Sequence, residues 1–312
     1  MTRTALRPLM AYAVEVRAVR RLSPSFVRLT FGGDCLADFA PCADGGPRDL
    51  RIKLMVPAQG HPLPELGELS DGWYAAWLAL DPATRGTMRT YTVRALRPAG
   101  AATEVDVDVV LHLDEHGRGG PAATWAASAR PGDPITLLGP TSAAGPTPGG
   151  IEWRPPVPGP GAPVRVLLAG DETAVPAVCS VLESLGDGYA GDVLLEVPHA
   201  SDVQDVRTPA GVRTTWLVRG GRPHGQALAE AVRALLDTAA PVPVTATPAL
   251  PEVDVDADVL WETGSASGGF YAWIAGEAAV VRDLRRCLVT EHGVDRRSVA
   301  FMGYWRQGRA EN

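Results

Sequence analysis

The sequence lacks any apolar run approaching the ~20 residues that a membrane-spanning helix needs. Its first residues, MTRTALRPLMAYAVEV, carry no long apolar core and no clear cleavage site, so we expect neither a signal peptide nor a membrane partner. The chain also lacks a basic excess, since its formal net charge is −7. A nucleic-acid-binding protein needs a basic face, so a nucleic acid is not an expected partner.

Cysteine is scarce, and its spacing argues against the common cysteine-ligated centres. The four cysteines are Cys35, Cys42, Cys179 and Cys287, and none forms a CxxC pair. A zinc ribbon or a cysteine-bound iron–sulfur cluster would therefore lack its ligands. We interpret the cysteines as reduced core or surface thiols, and we expect a cytoplasmic protein without a bound metal ion.

The length and composition are those of a globular protein with two domains. The chain has 312 residues, of which 46% are hydrophobic and 21% are charged, and ~150 residues per domain is typical. The segment 141–163, TSAAGPTPGGIEWRPPVPGPGAP, is dense in proline and glycine and predicts a linker. The predicted domains are therefore residues 1–140 and 164–312.

The first domain has the pattern of short antiparallel strands. Apolar alternation or β-branched runs occur in AYAVEVRAVRRL, SFVRLTFGG, RIKLMVP, RTYTVRAL and TEVDVDVVLHL, and PGDPITLLGP adds a sixth strand. Short strands separated by turns predict an antiparallel six-stranded β-barrel.

In the second domain, strands alternate with helical periodicity. The apolar runs VRVLLAG, DVLLEV, TTWLVRG, FYAWIAG and VAFMGYW are typical of buried parallel strands. Helical spacing appears in DETAVPAVCSVLESLG, HGQALAEAVRALLDTA and EAAVVRDLRRCLVTEHG. This alternation predicts an α/β domain with a parallel sheet covered by helices. Residues 239–253 predict a surface excursion.

One motif suggests zinc, but its context does not. His112, Glu115 and His116 match the H-x-x-E-H pattern of inverted zinc peptidases, which requires a helix. Here an alternating strand precedes the motif and GRGGP follows it, so we do not predict a zinc site.

One predicted strand is unusually polar. In MRTYTVRAL, residues 88–96, alternation places Arg89 and Tyr91 on one face and Thr90 and Thr92 on the other. The later segment HGRGGPAATWAASA joins a glycine-rich loop to a short helix, whose N–H groups suit a phosphate or pyrophosphate. An arginine can pair with such a group as a fork. The alternatives are a solvated edge strand and an ordinary turn.

These motifs together resemble the flavin-binding half of the ferredoxin–NADP⁺ reductase superfamily. They resemble more closely the siderophore-interacting proteins, which are flavin-dependent ferric-siderophore reductases. R-x-Y-T and HGRGGPAATWA are followed in order by RPGDPITLLGP, LLAGDETAVPAVCSVLESL, YAWIAGEAAVVRDLRRCL and GYWRQG. The resemblance extends over most of the chain, and it implies an FAD-binding barrel followed by an NAD(P)H-binding α/β domain.

The resemblance also implies which residues bind the cofactors. The expected FAD set is Arg89, Thr90, Tyr91, Thr92, His112, His116, Gly119, Gly120, Pro121, Ala122, Ala123, Thr124 and Trp125. In the α/β domain the expected set is Gly170, Asp171, Glu172, Thr173, Gly276, Glu277 and Trp305. Most of the second set follow strand ends, where open α/β sheets bind ligands, although the G-x-G-x-x-G fingerprint is absent from the first turn.

A basic patch is expected beside the flavin for an anionic ferric chelate. Alternation in RIKLMVP turns Lys53 away from the core, and Arg118 and Arg130 flank the glycine loop and its helix. Ordinary solvation of these side chains is the alternative. The glycines of SASGGFYAW, residues 265–273, add no further base, so the siderophore class stays open.

The implied function is NAD(P)H-dependent, FAD-mediated reduction of a ferric siderophore, with release of Fe(II) in the cytoplasm. No side chain is expected to act as a catalytic acid or base, because the flavin carries the redox chemistry. The alternatives are a general flavin or ferredoxin-type reductase and a non-catalytic siderophore- or flavin-binding module. We expect a monomer. The choice between NADH and NADPH stays open, with Arg207, Arg213 and Arg219 as candidate contacts for a 2′-phosphate.

Overall fold

A computed structural model describes residues 7–39, 46–66, 69, 71–99, 102–145, 148–238, 259–264 and 268–308. The predicted excursion at 239–253, residues 265–267 and Cys42 lie outside these described residues. The chain divides into two compact units, Met1–Ile151 and Glu152–Glu311. Within the described ranges, no helix is long and apolar enough to cross a membrane.

The first unit is built on a curled antiparallel sheet. Its strands are β1 (Leu9–Arg21), β2 (Phe26–Gly32), β3 (Arg51–Val56), β4 (Thr87–Thr92), β5 (Ala95–Ala99), β6 (Ala102–Val110) and β7 (Pro134–Pro140). They form a seven-stranded sheet in the order β4-β3-β7-β1-β2-β6-β5. Two short helices, α1 (Trp73–Leu78) and α2 (Pro121–Ser128), accompany it.

The structure corrects the predicted count of six strands, because the segment RTYTVRAL contributes to two strands. The N–H of Val93 donates to the carbonyl oxygen of Leu50, next to β3, at 2.9 Å, and the N–H of Arg94 donates to that of Asp106 in β6 at 2.8 Å. The hydrogen-bonding partner therefore changes between two adjacent residues. Since β4 and β5 are the two edges of the sheet, this segment joins the edges and gives the sheet its barrel-like curl.

The two faces of β2 and β6 differ in polarity, as their alternation predicts. Val27, Leu29, Phe31, Val105, Val107 and Val109 are buried on one face. On the other face, Arg28 donates to both carboxylate oxygens of Asp108 at 2.6 and 2.7 Å. Burial of the apolar face and the ion pair between Arg28 and Asp108 both favour the observed register of β2 and β6.

Helix α1 is an element that the sequence analysis did not predict. It is six residues long, too short for helical periodicity to be visible. Its Trp77 packs in a buried cluster with Met55, Met88 and Leu138, so the helix covers an apolar part of the face formed by β3, β4 and β7.

The second unit is an α/β sandwich with a mixed sheet. Its strands are β8 (Val164–Gly170), β9 (Tyr189–Val197), β10 (Val212–Val218), β11 (Trp261–Glu262), β12 (Phe270–Glu277) and β13 (Val299–Trp305). Their order is β10-β9-β8-β12-β13-β11, and all neighbours are parallel except β11 and β13. The prediction of a purely parallel sheet is thus corrected by one antiparallel edge strand, whose two residues carry no periodic signal.

Helices α3 (Val175–Ser184), α4 (Gln226–Thr238) and α5 (Ala278–Arg285) cover this sheet, and α5 continues as the π-helical segment Arg286–Glu291. All residues of the central strand β12 are buried. A core cluster joins β8 and β12 to α4 and α5 through Leu167, Ile274, Leu228 and Leu284. The parallel pairing of β8, β12 and β13 brings their carboxyl ends to one edge of the sheet.

Candidate functional site

Arg89 and Tyr91 share one face of β4, where both are half-buried. Their antiparallel partners in β3 are Leu54 and Ile52, respectively. The guanidinium of Arg89 donates to the carbonyl oxygen of Met88 at 2.9 Å. Burial raises the pKa of Tyr91 to about 12, against the opposing effect of the Arg89 charge. The phenol is therefore protonated at neutral pH and can donate a hydrogen bond.

Thr90 and Lys53 lie on the other face of the strand pair. They are opposite each other in the register of β3 and β4, and the Lys53 ammonium donates to Thr90 Oγ1 at 2.9 Å. Thr92 pairs in register with Arg51 and is buried. Lys53 therefore lies on the face of the strand pair opposite Arg89 and Tyr91.

The loop between β6 and α2 contains His112, His116 and Arg118, all of them exposed. Asp114 organises this loop, since its carboxylate accepts from the N–H groups of Arg118 at 2.8 Å and His116 at 2.9 Å. Arg118 Nε donates to the same carboxylate at 3.0 Å. The backbone N–H of Arg118, together with these other bonds, lowers the pKa of Asp114. Asp114 was not among the predicted site residues, although an aspartate three residues before a glycine is a turn signal.

Helix α2 begins at the predicted pyrophosphate-binding segment. Gly120 precedes the helix in an extended conformation, Pro121 is its first residue, and no side chain caps its first turn. Gly119 lies so close to the carbonyl oxygen of His112 that a Cβ there would clash, whereas a Cβ on Gly120 would meet open space. Thr124 Oγ1 donates to the Gly119 carbonyl at 3.2 Å.

The remaining predicted residues of this region lie on helix α2 or just after it. Ala122 is buried, Ala123 and Trp125 are half-buried, and Arg130 is exposed just after the helix. The backbone N–H of Arg130 donates to Asp133 Oδ2 at 2.7 Å.

In the second unit, Asp171 connects three neighbouring strand ends. Its Oδ1 accepts from the N–H of Thr173 at 2.9 Å and from the Thr173 hydroxyl at 2.5 Å. Its Oδ2 accepts from the N–H of Glu277 at 2.8 Å and from Trp305 Nε1 at 2.9 Å. One buried carboxylate therefore holds together the turn after β8, the turn after β12 and the end of β13.

Two predicted residues of this edge have a role that their contacts explain. Gly276 has φ +145°, and a Cβ there would lie 2.7 Å from Asp171 Oδ2, so glycine is required. Glu277 Oε2 caps α5 by accepting from the N–H groups of Ala279 at 2.8 Å and Val280 at 3.1 Å. Its Oε1 accepts from the N–H of Gln307 at 3.2 Å.

Glu172 forms a buried ion pair with Arg219. The two terminal nitrogens of Arg219 donate to the two oxygens of Glu172 at 2.9 and 3.0 Å. Arg219 Nη1 also donates to Glu196 Oε1 at 3.3 Å. Glu196 in turn accepts from the N–H groups of Gly225 at 2.8 Å and Leu228 at 3.0 Å. The network ties β8, β9 and β10 to the start of α4.

His224, which the sequence analysis did not select, completes this cluster. Its Nε2 lies 3.4 Å from Asp171 Oδ2 and 3.7 Å from Glu172 Oε2. The imidazole meets Trp305 edge to face, with ring centroids 5.1 Å apart. Burial lowers the pKa of His224, but the two carboxylates outweigh burial and raise it to about 10. The side chain is therefore an imidazolium at neutral pH.

Asp171, Glu172 and His224 also place three possible metal ligands within 4.8 Å of one another. Their chemistry does not fit a cation, because both carboxylates already accept hydrogen bonds from Thr173, Arg219 and other donors. A metal ion at His224 would also have to displace the proton of its imidazolium. We therefore interpret the cluster as a structural ion-pair network.

Two family models match this chain, one in each unit. The siderophore-interacting FAD-binding domain matches residues 15–144, and the siderophore-interacting protein model matches residues 163–308. The chain belongs to the siderophore-interacting protein family. The predicted family is thereby confirmed, and FAD is the cofactor that the family's first domain binds.

Similar proteins match both units. The chain is 36% identical to the uncharacterized protein Rv2895c of Mycobacterium tuberculosis, over 98% of this chain and 93% of the relative. It is 28% identical to the ferric vibriobactin reductase ViuB of Vibrio cholerae, over 93% of this chain and 87% of that protein. A solved siderophore utilization protein from T. fusca is 28% identical with a TM-score of 0.65, and the match covers 98% of this chain and 96% of that one. The family is thus one of siderophore-related, FAD-binding reductases.

Proposed function

We propose that this protein reduces a ferric siderophore with electrons from NAD(P)H, by way of FAD, and so releases Fe(II) in the cytoplasm. The observation that carries the proposal is the polar face of β4, with Arg89 and Tyr91 half-buried, within a unit that matches an FAD-binding domain. The similarity to ferric vibriobactin reductase supports the choice of a ferric chelate as the electron acceptor. In this proposal residues 1–140 bind FAD, residues 164–312 bind the dinucleotide, and the protein acts as a monomer.

The groups of the first unit fit FAD. Arg89 has five N–H donors, of which one is bonded to Met88, so its fork can pair with phosphate oxygens. The uncapped first turn of α2 offers N–H groups to a pyrophosphate, beside a Gly120 that leaves room for it. The protonated phenol of Tyr91 can hydrogen-bond the flavin or its ribityl chain. Thr90, Thr92, His112 and His116 complete the proposed set around the flavin.

When bound, FAD supplies the redox chemistry by accepting a hydride and passing on single electrons. The chain's own residues bind, orient and neutralise charge, and we assign no side chain the role of catalytic acid or base. Hard oxygen ligands hold Fe(II) less tightly than Fe(III), so reduction favours release of the metal from its chelate.

The acceptor is drawn to exposed cations of the first unit in this proposal. Lys53, Arg118 and Arg130 are exposed, and exposed cations raise the local concentration of an anionic chelate. The carboxylate of Asp114 partly offsets the charge of Arg118. Lys53, whose ammonium also donates to Thr90 Oγ1, is the cation that we choose to test.

The proposed role of the α/β unit is to present a fixed edge to the dinucleotide. Gly170, Asp171, Glu172, Thr173, Gly276, Glu277 and Trp305 all lie at the carboxyl edge of its sheet. The hydrogen bonds of Asp171 hold this edge in one arrangement, and open α/β sheets bind dinucleotides at that edge.

Anaerobic spectroscopy tests the proposal. The purified protein is loaded with FAD, NADH or NADPH is added, and then a ferric siderophore is added with an Fe(II) trap. We expect the flavin absorption to bleach and then to recover as Fe(II) appears. Bleaching without recovery would favour a general flavin reductase with another acceptor. Bound flavin that neither nucleotide bleaches would favour a non-catalytic binding module.

A further inference from the structure

We propose that the α/β unit is built for NADH rather than NADPH. This inference rests on the proposed function and names its electron donor. NADPH differs from NADH by a phosphate on the 2′-oxygen of the adenosine ribose, which carries about two negative charges at neutral pH. Proteins that use NADPH meet this charge with a nearby arginine, whereas an acidic residue binds the 2′-hydroxyl of NADH. The positions of three arginines, Arg207, Arg213 and Arg219, decide the question here.

Arg213 lies at the wrong edge of the sheet. It follows the first residue of β10 and pairs in register with Asp192, near the start of the parallel strand β9. Its guanidinium donates to Asp192 Oδ1 at 3.0 and 2.6 Å. Ligands of open parallel sheets bind at the carboxyl ends of the strands, so Arg213 points to the amino-terminal edge.

Arg207 lies near the same amino-terminal edge. Its Nη1 donates to the carbonyl oxygen of Glu183 at 3.4 Å, and Glu183 is in the last turn of α3. Helix α3 leaves the carboxyl end of β8 and returns to the amino end of β9, as a crossover between parallel strands must. The end of α3, and with it Arg207, is therefore far from a dinucleotide at the carboxyl edge.

Arg219 lies at the carboxyl edge of the sheet, directly after β10, but its charge is already paired with buried carboxylates. It donates to both oxygens of Glu172 and to Glu196. The side chains of these two glutamates are 1% and 0% exposed. Turning Arg219 toward a phosphate would leave a buried carboxylate without its counter-ion, which is strongly unfavourable.

The buried charges beside this arginine are mainly acidic. Asp171, Glu172, Glu196 and Glu277 are all buried at this edge. The imidazolium of His224 lies between two of those carboxylates, and Arg222 in the following loop is ion-paired with Glu230.

The segment after β9 is where a dinucleotide fold distinguishes the two ribose forms. The residues from Pro198 to Val206 contain no lysine or arginine. Ser201 is exposed, and its hydroxyl can hydrogen-bond a ribose hydroxyl without neutralising a phosphate. Asp202 is buried and accepts from the N–H of His199 at 2.9 Å. This segment therefore suits the 2′-hydroxyl of NADH.

Binding and kinetics test the inference separately. Calorimetry with ADP-ribose and with 2′-phospho-ADP-ribose, which carry no hydride, reports dinucleotide preference without electron transfer. We expect ADP-ribose to bind at least tenfold more tightly. We expect kcat/KM for anaerobic flavin reduction to be at least tenfold higher with NADH than with NADPH.

Substitutions that add a positive charge test whether the segment after β9 discriminates between NADH and NADPH. Ser201→Arg is expected to raise the NADPH-to-NADH ratio of kcat/KM at least tenfold. The matched control Ala210→Arg places the same charge on an exposed residue just before β10, at the amino-terminal edge, and should change that ratio less than twofold. Arg207→Ala and Arg213→Ala should also leave the ratio within twofold.

The outcomes separate this inference from the proposed function. Equal or tighter binding of the 2′-phosphorylated ligand would overturn the inference alone, as would an NADPH preference that Arg207→Ala or Arg213→Ala abolishes. Failure of both ligands to bind would overturn the inference together with the reductase proposal. ADP-ribose preference in a protein whose flavin no nucleotide reduces would support the inference and contradict the reductase.

Discussion

The candidate sites in the two units of this protein use their polar residues in opposite ways. On β4 of the first unit, Arg89 and Tyr91 are half-buried, and one backbone carbonyl accepts from the arginine. At the carboxyl edge of the second unit, Asp171 and Glu172 are buried and bonded to several groups of their own unit. A donor that makes few hydrogen bonds within the protein is available to a ligand and contributes to binding affinity. A donor or acceptor that is bonded within the protein contributes instead to the stability of the fold. We therefore expect substitutions on β4 to weaken FAD binding, and substitutions at the carboxyl edge of the second unit to lower the free energy of unfolding.

The largest expected effect is the loss of the Asp171 carboxylate. Asp171→Ala removes the acceptor for Thr173, Glu277 and Trp305 and leaves buried donors unsatisfied. We expect the free energy of unfolding to fall by about 3–5 kcal/mol, measured by denaturant unfolding. Asp192→Ala breaks a more exposed pair with Arg213 and should cost about 1 kcal/mol or less. Equal losses in the two variants would contradict the role of Asp171.

Arg89→Ala tests the polar face of β4 in the first unit. We expect FAD binding to weaken by about 1.5–3 kcal/mol because a charge-assisted contact is lost, with the free energy of unfolding of the apoprotein almost unchanged. Titration of the apoprotein with FAD, followed by flavin fluorescence, measures the change. Arg20→Ala, at an exposed arginine of the same sheet, is the control. Unchanged FAD affinity in a folded Arg89→Ala protein would remove Arg89 from the site.

His224 predicts how the second unit depends on pH. Its pKa is raised from 6.5 to about 10 in the folded protein, so the folded state binds the proton more tightly than the unfolded state. The stabilisation is therefore complete below about pH 6.5 and is lost as the pH rises through about 10. His224→Gln should flatten this decline in stability between pH 7 and pH 10.

His292→Gln is the matched control for that pH series. His292 Nε2 lies 3.8 Å from Asp237 Oδ1, in a pair that is more exposed than the His224 cluster. The control should therefore keep the alkaline decline of the wild type. A wild-type protein whose stability is constant from pH 7 to pH 10 would show that His224 is not held as an imidazolium.

The smallest expected effect concerns Lys53. Lys53→Met removes an exposed cation that bonds Thr90, and surface charge interactions of about 0.2–1 kcal/mol correspond to a KM for the ferric chelate raised about 1.5- to 5-fold. The KM for the nucleotide should not change. Lys53→Arg keeps the charge and should restore the KM. A Lys53→Met protein whose KM for the chelate is unchanged at low salt would exclude Lys53 from the acceptor site.

Periodicity and turn residues located most elements of both units. The strands of the α/β unit that are long enough to show an apolar run, from VRVLLAG to VAFMGYW, all occur as β8 to β10, β12 and β13. The missed elements, α1 and β11, are too short for a period to appear. The division of RTYTVRAL into β4 and β5 was also missed, because it depends on hydrogen bonds to Leu50 and Asp106 that no local pattern encodes.

Family membership, the two kinds of domain and the polar strand around Arg89 were readable from the sequence alone. They depend on local alternation, turn residues and an ordered set of motifs, all of which are properties of contiguous residues. Only the tertiary structure shows that Arg219 is enclosed by Glu172 and Glu196, and that His224 lies against Asp171. Those partners are 23–53 residues apart in the chain. Parallel strands bring their carboxyl ends to one edge whatever the length of the crossovers between them, so their charges meet only after folding.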